Sequence, residues 1–117
     1  MSNTTYIGID IGYEGAICFM EDHEIIIFKM PTITNPKKKS GKLYDIPELK
    51  RIFRTRENRL CFATLETITG FGPGGLTAGI SLGKGAGILE TLLVVYSIPY
   101  QLVHPKTWGK VSPIPPS

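Results

Sequence analysis

Only two cysteines, two histidines and one tryptophan occur in 117 residues. Cys18 and Cys61 fall inside separate apolar runs and share no metal-ligand spacing, which excludes a zinc ribbon and a disulfide scaffold. They read as buried free thiols of a reducing compartment, and the cytoplasm is the expected location. His23 lies in a polar turn and His104 precedes a proline, so no nucleophile–histidine arrangement is offered. No stretch approaches the ~20 uninterrupted apolar residues of a membrane span. The start, MSNTTYIGID, has no basic segment followed by an apolar one, so no signal peptide is expected. Acidic residues are missing altogether after Glu90, and three prolines in the last five residues forbid a helix there.

What is present is ordinary in bulk. Hydrophobic residues make up 42% and charged residues 20%, the balance of a globular chain long enough for one modest core. Residues 1–110 are expected to form that domain and 111–117 a proline-rich irregular tail. The net charge of +3 is unevenly spread. Between Lys29 and Arg59 lie ten basic residues against Asp45, Glu48 and Glu57, a surplus of +7 that leaves −4 for the rest. A polyanion partner and a merely solvated helix and loop both fit that pattern.

Strict alternation over Thr5–Ile11 points Ile7, Ile9 and Ile11 one way and Tyr6, Gly8 and Asp10 the other, as in a half-buried strand. Glycines at 12 and 15 turn the chain into a second strand, Ala16–Met20. The polar turn EDHE then leads to a third, Glu24–Met30. Residues 31–44, with two prolines, a glycine and the run Lys37–Lys38–Lys39, read as a mobile loop. Asp45 and Glu48 form a capping-box-like start to a helix whose apolar stripe is Ile46, Leu49, Ile52 and Phe53. Leu60–Thr67 suits a buried strand, Leu76–Ser97 a long helix after the loop TGFGPGG, and Pro99–Pro105 a last strand. The order β-β-β-α-β-α-β describes an α/β fold, an antiparallel hairpin set feeding two parallel crossovers into one mixed sheet.

Asp10 in the first strand and Glu66 at the end of the fourth stand out. Neighbouring strands lie ~4.8 Å apart, so the two carboxylates could share one site. Two acids do not both stay ionised there without a cation, and hard oxygen donors favour Mg²⁺, with Mn²⁺ also suited. Such ions activate water and stabilise the leaving oxygen of a phosphodiester. Gly12 and Gly15 would then keep side chains away from Asp10. Spacing alone also allows a turn-forming aspartate and a satisfied edge glutamate. Gly75, Gly79, Gly83 and Gly87 recur every four residues in the long helix, and each costs ~1 kcal/mol against alanine. Close approach to the sheet or to a second subunit would explain them.

Taken together, YIGIDIGYEGAI, LETITGF, LGKGAGIL and IPYQLVHPKTW resemble the RuvC-like Holliday junction resolvases, especially the phage-type crossover junction endonucleases of the ribonuclease H-like superfamily. The similarity spans roughly residues 5–110. It implies a homodimer in the cytoplasm (the host's, if phage-encoded), acting in DNA recombination and repair, that nicks four-way DNA symmetrically with Mg²⁺ held by four acidic residues. Carried over, Asp10 and Glu66 are two of those ligands, and Phe71 occupies a position where an aromatic lies near the junction centre. Lys37, Lys38, Lys39, Lys84, Lys106 and Lys110 become candidate DNA contacts. The 76–97 helix becomes the candidate dimer element, with Leu89, Leu92, Leu93 and Val95 available either for that contact or for the core. The family's C-terminal helix, with its last two acidic ligands, has no counterpart here, and Gly109 stands where a basic residue is common. Impaired catalysis is therefore expected of the 117-residue form. A non-catalytic junction-binding derivative is the alternative. A fragment of an actin-like sugar kinase or ATPase, which also opens on Gly-Ile-Asp-x-Gly, is a third reading.

Overall fold

Alternation in the N-terminal run produces β1 (Thr4–Asp10), in which Thr5, Ile7 and Ile9 are buried while Tyr6 and Asp10 are exposed. The computed structural model describes residues 4–37, 41–66 and 75–103. β2 (Ala16–Glu21) and β3 (Glu24–Lys29) follow as an antiparallel hairpin. Its two-residue loop, Asp22–His23, has φ of 49° and 66°, the backbone twist that a tight hairpin requires. Next come β4 (Thr32–Thr34) and β5 (Lys42–Tyr44), then α1 (Ile46–Arg54), β6 (Leu60–Glu66), α2 (Gly75–Val95) and β7 (Tyr100–Val103).

Five strands form one mixed sheet in the order β3-β2-β1-β6-β7, antiparallel on one side of β1 and parallel on the other. This is the expected α/β arrangement. The segment 31–44, expected to be a loop, instead carries a second small sheet, β4 paired with β5. Three-residue strands are too short to show periodicity between prolines and lysines. Tyr44 holds this hairpin down: its hydroxyl donates to the Ser81 carbonyl at 3.1 Å and its ring packs on Tyr13 at 4.7 Å.

One sheet face makes the core. Ile7, Ile9, Ile17, Phe19, Ala63 and Leu65 pack against Leu49, Ile52 and Phe53 of α1 and Leu89, Leu92 and Leu93 of α2. Phe19 and Phe53 meet edge-on at 6.4 Å, and each fully buried side chain of this size contributes ~1.5–3 kcal/mol. Asp45 caps α1 by accepting from the Glu48 N–H at 3.2 Å. The reciprocal half of a capping box does not form, because the Asp45 N–H goes to Pro31 and the Glu48 carboxylate to Arg51. α2 ends with Ser97 at φ 55° and the Ile98 N–H on the Leu93 carbonyl, a left-handed cap without glycine.

At the end of the sheet where β2 turns into β3, Glu21 accepts from the Thr5 hydroxyl at 2.6 Å, from Arg56 at 3.0 Å and from Arg59 at 3.3 Å. Burial works against the Glu21 charge, but these bonds and the two guanidinium charges outweigh it, and the net shift of its pKa is downward. Cys61 is buried as expected, whereas Cys18 is only half-buried, and both thiols are free.

Gly83 and Gly87 do not approach the sheet, since a Cβ at either would meet nothing within 4 Å. The close approach is at Gly85, outside the four-residue series, where a Cβ would run into the Tyr44 ring and Ile11. Gly85→Ala should therefore destabilise the protein by about 1–3 kcal/mol through overpacking, despite alanine's helix advantage. Gly87→Ala should stabilise it by up to ~1 kcal/mol. Urea denaturation of the two variants checks the opposite signs.

Candidate active site

β1 and β6 run parallel and side by side, with Ile9 opposite Leu65. One residue further along, both strands end on a carboxylate, Asp10 and Glu66. The parallel pairing sets both at the same sheet edge, on the face opposite the helices, and the two side chains share a hydrogen bond. The Glu66 carboxyl is pushed above the usual carboxylate range, first by its partial burial, then by the Asp10 charge and the hydrogen bond between them.

The chain turns immediately after Asp10. Gly12 has φ 120°, a conformation L side chains rarely adopt, and a Cβ at Gly15 would collide with the Asp10 carbonyl. The Gly15 N–H bonds the Gly12 carbonyl at 3.0 Å, and the Met30 N–H bonds the Gly15 carbonyl at 2.9 Å. These glycines thus clear room for Asp10's own backbone at the strand end. Glu14, at the tip of the turn, pairs with Lys42 of β5 at 2.7 Å.

A groove of about 540 Å³ leads away from the pair along the open face, past Gly8, Thr64 and Cys18 to Met20, Tyr6 and Phe62. The last two rings stack at 6.1 Å. This face is apolar for an exposed surface, with Ile25 and Ile27 of β3 at 65% and 67% exposure.

Of the residues singled out from sequence, the structure brings Asp10 and Glu66 together. Lys84 is exposed in the helical layer, beside Gly83, Gly87, Ile46 and Thr91, and not in the groove at the pair. Lys37 is exposed in the β4–β5 connection, its N–H on the Asn35 side chain. Lys38, Lys39, Phe71, His104, Lys106, Gly109, Lys110 and the tail 111–117 lie outside the described residues. Leu89, Leu92 and Leu93 belong to the core, while Val95 is exposed. Among its described residues the basic segment does not form one free face. Lys42, Arg51, Arg56 and Arg59 are each already bound to a carboxylate. Lys29 is the residue the sequence reading passed over. It is on the open face, level with Asp10, and the hairpin registers carry the signal that locates it.

Among the described residues no group of three or more histidine, cysteine or acidic side chains could hold a metal. The donor set is the two carboxylates. Its chemistry suits a hard divalent ion that keeps several waters and takes further oxygens from a phosphate. The Asp10 charge that helps raise the Glu66 carboxyl is also the repulsion a cation would relieve. No helix among the described residues is long and apolar enough to cross a membrane.

The sign of the Glu66 shift sets a pH dependence. A carboxyl whose folded pKa is raised binds more protons folded than unfolded, so stability falls as pH rises through its titration. In EDTA, Glu66→Gln should be more stable than the parent at neutral pH and should lose that part of the pH slope. Added Mg²⁺ should narrow the gap by stabilising the parent only. Thermal unfolding from pH 4 to 8 measures both effects.

No family model matches the sequence, and no curated protein matches it. Solved structures do. The chain is similar to Thermus thermophilus RuvC in complex with a Holliday junction substrate, with a TM-score of 0.60 and 14% identity over 92% of this chain and 68% of that one. It is also similar to a second structure of Thermus thermophilus RuvC, with a TM-score of 0.53 and 12% identity over 91% and 67%. The five-stranded mixed sheet, with its helices packed on one face, has the ribonuclease H-like fold of RuvC.

Proposed function

We propose that this chain is a divalent-metal-dependent, structure-selective endonuclease that acts on branched DNA, with the four-way junction as its substrate. The observation that carries this reading is the Asp10–Glu66 pair, set on a solvent-open sheet face by two adjacent parallel strands. The similarity to a RuvC bound to a Holliday junction supports the choice of substrate.

Asp10 and Glu66 would hold Mg²⁺ or Mn²⁺, which when bound supplies an activated water and charge neutralisation at the leaving oxygen. The residues' own work is to fix the position of the reacting phosphate. Asp10 is held by the glycine turn behind it and Glu66 by the parallel register. Attack of water on phosphorus breaks the bond to the leaving oxygen and gives one phosphate end and one hydroxyl end. Lys37, Lys38, Lys39, Lys84, Lys106 and Lys110 are proposed to contact phosphates, and Phe71 to stack on an unpaired base. A homodimer through α2 would use its outward stripe, Ile80, Gly87, Thr91, Val94 and Val95, because Leu89, Leu92 and Leu93 are spent on the core. With two carboxylates in the described donor set, cleavage is expected to be slow. That same observation favours the second reading, a chain that binds junctions without cutting them.

The test is a gel assay of labelled four-way DNA in Mg²⁺. Paired symmetric nicks are expected, reduced by about 10²-fold or more in Asp10→Asn, the scale on which loss of a preorganised transition-state stabiliser is felt. A shifted but intact junction would establish the second reading. A junction neither shifted nor cut would refute both.

A further inference from the structure

The registers of three strands align one row of residues across the open face. Asp10 is opposite Ala16, and Ala16 is opposite Lys29. Glu66 extends the row on the other side. Directly opposed residues share a face, and alternation in β3 agrees: Ile26 and Phe28 pack toward the core, while Ile25, Ile27 and Lys29 are exposed. Two strand spacings of ~4.8 Å place the Lys29 backbone about 10 Å from that of Asp10. Between them stands Ala16, too small to block passage across the sheet. A lysine's flexible stem can bring its ammonium group most of the way back over that gap.

Lys29 differs from the other cations of its segment. Lys42, in the small second sheet beside the turn after Asp10, is neutralised by Glu14 at 2.7 Å, and Arg56 and Arg59 are bound to Glu21. Among the described residues Lys29 forms no ion pair, although its charge is felt at Glu14. It is thus a free positive charge in line with two carboxylates, on an open face, at a span suited to a neighbouring phosphate of the same strand.

We propose that Lys29 is a substrate-positioning residue, whose ammonium group grips a DNA phosphate next to the one presented to Asp10 and Glu66. The inference rests on the nuclease reading above and adds the direction of the strand, which crosses the sheet from β6 over β1 and β2 toward β3. The row of side chains, not charge alone, sets that path.

The test is equilibrium binding of four-way DNA in Ca²⁺ across a salt titration, with Lys29→Met, Lys29→Arg and Lys50→Met. Lys50 is exposed on α1, in the helical layer, and controls for the lost charge itself. Loss of one phosphate contact should lower the slope of log affinity against log salt by about 0.9 in Lys29→Met. Lys29→Arg should restore the slope, and Lys50→Met should leave it unchanged. Circular dichroism verifies that each variant is folded. An unchanged slope in Lys29→Met, or an equal drop in Lys50→Met, overturns the role of Lys29 while junction binding by the parent still stands. A parent chain that binds no junction DNA overturns this inference and the nuclease reading together.

Discussion

Two carboxylates separated by one strand spacing impose the condition that much of this molecule serves. In the absence of a cation, partial burial and then the neighbouring Asp10 charge both work against the ionised form of Glu66. Both side chains reach the open face, so what keeps the pair together is the placement of their backbones. Here the constraint is topological. β1 is the central strand, and β6 joins it in parallel after the α1 crossover, so both strands finish at the same edge. Had β6 run antiparallel, its last residue would lie at the opposite edge from Asp10. The pair is a consequence of strand direction.

That edge is then locked from behind. The chain reverses through Gly12 at positive φ and returns past the Asp10 carbonyl at Gly15, a path closed to residues with a Cβ. Tyr13 from the same turn packs on Tyr44, whose hydroxyl reaches the Ser81 carbonyl in α2. Gly85 leaves the space that the Tyr44 ring fills. The turn, the small β4–β5 sheet and the long helix are thereby joined in one contact chain that begins two residues after the carboxylate. Movement of the Asp10 backbone would strain this chain of contacts, and close-packed interiors transmit such strain.

The sequence shows this arrangement unevenly. Period-two alternation around Ile7 and Ile9, and the apolar run ending at Glu66, are strong local signals that identify both strands and both carboxylates. The succession of the sheet's strands and their change from antiparallel to parallel pairing followed from tight turns and helical crossovers, whereas their spatial order is seen only in the structure. The β4–β5 pair was hidden because its strands are three residues long and held mainly by Tyr44, a tertiary contact with no local signature. The glycine period of α2 allowed close approach to the sheet or to a second subunit, and at Gly83 and Gly87 the sheet is not what they approach. A four-residue period suggests one close-packed face, yet the crowded glycine is Gly85, which the period omits, and crowding is a property of the neighbour. Lys29 was legible in principle. The two-residue turn at Asp22–His23 fixes Glu21 opposite Glu24, and counting back through the hairpin sets Lys29 opposite Ala16. A net count of charge along the chain cannot make that distinction.

The same contrast explains why the basic segment is a poor guide to an anionic partner when read as a sum. Its surplus of +7 is distributed over several environments. Arg56 and Arg59 stabilise a half-buried glutamate at the far end of the sheet, where their stems and charges are structural. Arg51 faces Glu48 along α1, and exposed pairs of that kind contribute ~0–1 kcal/mol. Lys42 is occupied by Glu14. What remains at the carboxylate edge among the described residues is the single unpaired charge of Lys29, beside an acid pair of opposite sign. A polyanion approaching this edge meets repulsion from Asp10 and Glu66 unless a divalent ion intervenes, and attraction from Lys29 in either case. Metal-free contact would therefore be biased toward β3 and metal-bound contact toward β1 and β6. The row across the sheet is an electrostatic gradient as well as a geometric one.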